Sequence, residues 1–153
     1  DMRFVKDKRP YKTNIGIQFR HQFGKDIHAP GYYLHIQKGN CFLAAGLWRP
    51  EPKALAGIRS LIKEKPGVWG KAVQSSGFKK TFTIGGRSLT RPPKGYSKED
   101  PFLEDLKRKD FMAVHNFSGN EAMSSDFVKV VKKKYNVATP YMRFLCEGVG
   151  VPF

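Results

Sequence analysis

The chain has 153 residues, with 28 lysines and arginines against 13 aspartates and glutamates, for a formal net charge of +15. Its 40% apolar and 13% aromatic content excludes a disordered chain, and its length suits one domain, residues 1–153, with a real core. No apolar run approaches the roughly 20 residues a spanning helix needs, so no membrane insertion is expected, and the cation excess points to nucleic acid, a phosphorylated ligand or an anionic surface, or to solubility alone.

The opening segment is strongly basic. Arg3, Lys6, Lys8, Arg9 and Lys12 surround one carboxylate, Asp7, with Phe4, Pro10 and Tyr11 interleaved. That many cations are too costly to bury unpaired, and the rings and proline predict an ordered loop rather than a floppy arm. Ile15, Ile17 and Phe19 then alternate with Gly16, Gln18 and Arg20, the two-residue period of a half-buried strand. Gly24 to Pro30 reads as a loop. Gly31–Gln37 and Cys41–Trp48 read as a hairpin around a three-residue connection, Lys38-Gly39-Asn40. That loop length puts Tyr32, Leu34, Ile36, Phe42, Ala44 and Trp48 on the face expected to be buried. Tyr33, His35, Gln37, Cys41, Leu43 and Ala45 fall on the other, and Gly46 opposite Tyr32 leaves room for the ring.

Pro50-Glu51-Pro52 suits a helix start, Leu55, Ile58, Leu61 and Ile62 give helical spacing, and Pro66-Gly67 ends the helix. A short helix with Val68, Trp69, Ala72 and Val73 follows. Residues 78 to 89 read as irregular or short-strand structure around a Gly85-Gly86 turn. Arg91-Pro92-Pro93-Lys94-Gly95-Tyr96 is a stiff loop, and Ser97 with Asp100 resembles a capping box opening a helix through Phe102, Leu103 and Leu106. Residues 110 to 117 read as a strand. A last helix starts near Ser125 and is expected to break or restart at Pro140. Strands around a hairpin core, with helices interspersed, indicate an α+β domain.

The opening R-F-V-K-D-K-R-P-Y-K-T, then Gly31-Tyr32-Tyr33-Leu34-His35, Gly46-Leu47-Trp48-x-Pro50, Leu89 to Tyr96, Leu106 to Phe111 and Pro140 to Leu145 together resemble the microbial family of domain of unknown function 2461. The motifs agree in order and spacing over nearly the whole chain. The resemblance implies an α+β domain with a helical segment before the R-F-x-K-D-K motif. On that basis the chain reads as an N-terminally truncated copy. The family carries no settled mechanism to transfer.

The candidate ligand-binding residues are Arg3, Lys8, Tyr11 and Lys12 in the basic opening, Tyr33 and His35 on the hairpin, and Arg91 and Lys94 on the proline loop. Lysines bind phosphate as mobile point charges, and arginine binds it bidentately. Pro92-Pro93 fixes an extended backbone that projects Arg91 and Lys94 at low entropic cost. Rings beside cations can stack bases. Each has a structural alternative: Asp7 pairing Arg3 and Lys12 in an internal knot, the prolines acting as a plain connector, Trp48 as core, His35 as a strand histidine. As an enzyme, the chain would use Arg3 and Lys8 on developing charge and His35 or Tyr11 as proton carrier. It shows no nucleophile constellation. His21, His28, His35 and His115 have no metal spacing, so neither metal nor cofactor is expected. Cys41 and Cys146 lie far apart and read as reduced thiols, which suits the cytoplasm. Oligomeric state is not legible.

Overall fold

The structure is a computed structural model and describes residues 14–19 and 29–153. The chain runs β1 (Asn14–Phe19), β2 (Gly31–Gln37), β3 (Cys41–Leu47), α1 (Pro52–Glu64), α2 (Pro66–Gln74), α3 (Ser76–Thr81), β4 (Thr83–Gly85), α4 (Leu103–Leu106), β5 (Phe111–Phe117), α5 (Gly119–Ala122) and α6 (Phe127–Val149). The strands form one sheet in the order β1-β2-β3-β5-β4, with every neighbouring pair antiparallel. This is the expected α+β architecture. No described helix is long and apolar enough to cross a membrane.

The hairpin is one residue tighter than its sequence suggests. The Asn40 N–H donates to Gln37 O at 2.9 Å and closes a turn on Lys38-Gly39, with Gly39 at φ 75°. A glycine takes that conformation without a Cβ penalty, so the two-residue turn displaces the expected three-residue one. The register moves with it: Tyr32 faces Ala45, Leu34 faces Leu43, and Gly46 faces Gly31. A one-residue slip exchanges faces. Leu43 and Ala45 therefore join Tyr32 and Leu34 on the helix-covered side, while Phe42 and Ala44 lie with Tyr33 and His35 on the other.

The helices cover one side of the sheet. Residues Ala54, Ile58, Leu61 and Ile62 form the buried stripe of α1. The centre of the core is Trp69, fully buried, packed against Phe111, Tyr141 and Phe144. Its indole N–H donates to Asp105 Oδ2 at 2.8 Å, which satisfies the one polar atom the ring carries inside. The expected Ser97 capping box is not formed. Instead Asp100 Oδ1 accepts from the Phe102 N–H and its other oxygen pairs with Lys63 of α1, so the helix begins late, at Leu103.

Helix α6 runs through Pro140 without a break. Proline removes the hydrogen bond to the carbonyl four residues back, here Asn136. Both residues lie on the exposed side, so that carbonyl faces solvent. Burial of Ala138, Tyr141, Met142, Phe144 and Leu145 holds the second half in line with the first.

Candidate anion-binding rim

Arg3, Lys8, Tyr11 and Lys12 lie outside the described residues, as do the Asp7 knot and most of the loop before β2. Tyr33 and His35 do come together, on the sheet face away from the helices. Alternate residues of a strand share a face, and here they form a chain: the Tyr33 hydroxyl lies 3.0 Å from His35 Nδ1, and His35 Nε2 lies 3.0 Å from Gln37 Oε1. One neutral tautomer satisfies both contacts, with Nε2–H donating to Gln37 and Nδ1 accepting from Tyr33. The imidazole stacks on Phe42 at 4.9 Å. Gly16 of β1 leaves space for the phenol, since a Cβ there would lie 2.6 Å from the Tyr33 hydroxyl. Both ring nitrogens are thus engaged within the sheet face and the ring is buried.

Arg91 and Lys94 are exposed and make no ion pair among the described residues. Their loop is tied away from Tyr33 and His35. The Leu89 N–H donates to Lys107 O at 2.8 Å, and Tyr96 closes a turn on Pro93 O at 3.1 Å. Tyr96 itself packs against the core.

The most organised polar cluster is one the sequence reading did not single out. Asp110, 1% exposed, sits just before β5 and accepts four hydrogen bonds. The Arg49 N–H reaches Oδ1 at 2.7 Å and the Arg87 N–H reaches Oδ2 at 2.9 Å. The Arg87 guanidinium adds two more, Nε to Oδ2 at 2.8 Å and Nη2 to Oδ1 at 2.9 Å. The guanidinium, aided by the two backbone donors, holds the Asp110 carboxyl down to about 2, overcoming the burial that would raise it. Gly86, at φ 111°, makes the cradle possible, because a Cβ there would meet Asp110 Cβ at 2.5 Å.

This carboxylate braces an outward-facing group. Arg49 is the sole non-glycine residue at positive φ among those described, at 51°. Such a conformation costs of order 1–3 kcal/mol and persists only where its surroundings enforce it; here Asp110 grips the Arg49 N–H. Trp48, directly before the bend, is 68% exposed, where its expected place was the buried face. The Arg49 guanidinium lies over the Trp48 ring at 5.1 Å. Beside them Arg87 keeps half its side chain exposed, and exposed Lys109 is fixed to it by a backbone hydrogen bond to Arg87 O at 2.8 Å. The segments that carry Arg49, Arg87 and Lys109 therefore meet at a single buried carboxylate, with the Trp48 indole under the Arg49 guanidinium. The only sequence signals were Asp110 heading an apolar strand and Gly85-Gly86 running into Arg87.

Fold and site together define an α+β domain with one antiparallel sheet, helices on one face and a carboxylate-braced cationic rim at the sheet end. The chain belongs to the family described as conserved hypothetical protein (DUF2461), whose profile matches residues 1–144. No curated protein and no solved structure matched the chain.

Proposed function

We propose that this domain binds an anionic, phosphate-bearing ligand, nucleic acid foremost, at a site that includes the rim of Arg49, Arg87 and Lys109. The observation that carries the reading is the Arg49 bend: a strained arginine, gripped through its N–H by a buried carboxylate, aimed outward beside an exposed indole. Cations held in place lose little entropy on meeting a phosphate, and arginine offers it a planar, bidentate fork. Arg91 and Lys94 extend the basic surface, and the same reading assigns Arg3, Lys8, Tyr11 and Lys12 to it. Tyr33 belongs to it as a packing group, and buried His35 serves it only by holding the Tyr33 hydroxyl at 3.0 Å. The net charge of +15 draws polyanions in from a distance. Two free, buried thiols, Cys41 and Cys146, suit a reducing compartment such as the cytoplasm.

Charge reversal tests the reading. Arg49→Glu leaves the backbone N–H to Asp110 in place, and Arg91→Glu touches no described ion pair. Each is expected to weaken binding of inorganic polyphosphate by about tenfold at low salt, measured by calorimetry. Wild-type affinity in both variants rules the reading out.

A further inference from the structure

We propose that Trp48 is a stacking platform for an unpaired base, which makes the ligand single-stranded nucleic acid. The inference rests on the phosphate reading above and adds the base. An indole left 68% exposed is costly, since burying a ring of this size is strongly favourable. The core of the described residues does not use this one: Trp69 fills it, and Trp48 is 68% exposed outside it. Arg49 covers one face of the indole at 5.1 Å, which leaves the opposite face for a second flat partner. Stacking a base there extends the arrangement to guanidinium, indole and base in layers, a sequence-tolerant contact because every base has a π-face.

The Arg49 and Arg87 N–H groups converge on the two oxygens of one carboxylate, and the Lys109 backbone is bonded to Arg87, so three cation-bearing segments meet at Asp110, one of them directly after Trp48. In a duplex the bases are stacked on each other and unavailable to a lone surface indole. A mononucleotide would satisfy the rim alone and leave the exposed Arg91 and Lys94 unused. The dispersed charge favours several linked phosphates.

Fluorescence anisotropy separates these possibilities, using the 153-residue chain and four probes: an oligothymidylate of about twelve nucleotides, an abasic strand of the same length, a duplex and inorganic polyphosphate. Thymidine monophosphate serves as competitor. The oligothymidylate is expected to bind about tenfold more tightly than the abasic strand, and Trp48→Ala is expected to erase that difference at unchanged thermal stability. Quenching of the exposed indole, absent in Trp48→Ala, reports the same contact. Equal affinity for the abasic strand, tighter binding of the duplex, or full displacement by equimolar mononucleotide overturns the single-strand assignment and leaves the phosphate reading standing. Failure of every probe, polyphosphate included, overturns both.

Discussion

Asp110→Ala is expected to destabilise the domain by about 3–5 kcal/mol, because it leaves the Arg49 and Arg87 backbone donors and one guanidinium edge without their acceptor. The same change releases Arg49 from its bend and lets Trp48 move, so polyanion binding falls with stability. Acid should reproduce part of this in the wild type. The Asp110 carboxyl sits at about 2 in the folded chain against an ordinary 3.8. A carboxylate depressed on folding stabilises the native state above its unfolded value, and that stabilisation drains away as pH falls from about 4 to about 2. The share is about 2 kcal/mol. Asp110→Asn carries no titrating group, so denaturant unfolding at a series of pH values should show a shallower acid loss than in the wild type. Superimposable acid profiles would contradict the role given to this carboxylate.

Gly46→Ala is expected to cost more than about 3 kcal/mol, combining left-region strain with an overlap that side-chain motion cannot relieve. A Cβ at Gly46 would lie 1.8 Å from the Phe111 carbonyl oxygen, and Gly46 has φ 132°. Relief requires β3 and β5 to separate, two residues from Trp48 and one from Asp110. Gly39→Ala is the control. It also has positive φ, but nothing lies within 4 Å of its Cβ, so only a backbone cost of about 1 kcal/mol is expected. Thermal unfolding of the two variants side by side distinguishes collision from conformational preference; equal losses would refute the collision.

Much of the architecture was legible because its signals are local. Alternating Ile15, Ile17 and Phe19 mark β1, although as an edge strand it is exposed along its length rather than half buried; the Pro52 start and Ile58-Leu61-Ile62 spacing mark α1, and the family motifs mark the whole. The hairpin register was not legible, since one residue more or less in the turn depends on whether Gly39 adopts positive φ. That slip also misplaced Trp48, which with the observed register shares the parity of Phe42 and Ala44 on the face away from the helices. The Arg49 conformation next to it is held by Asp110, 61 residues away. Such a contact between sheet-end turns leaves no periodicity in the sequence. Tyr33 and His35 were rightly placed on one face, yet their engagement with each other and with Gln37 depends on rotamers that alternation does not specify.

The salt dependence of polyphosphate binding tests the rim most directly, compared between the wild type and the double variant Arg49→Glu/Lys109→Glu. Each fixed cation that neutralises a phosphate releases condensed counterions, so log affinity falls linearly with log salt. The rim account predicts a steep negative slope for the wild type and a slope shallower by about 1–2 for the double variant, with weaker binding at low salt and unchanged thermal stability. Identical slopes and affinities in the two proteins would contradict it.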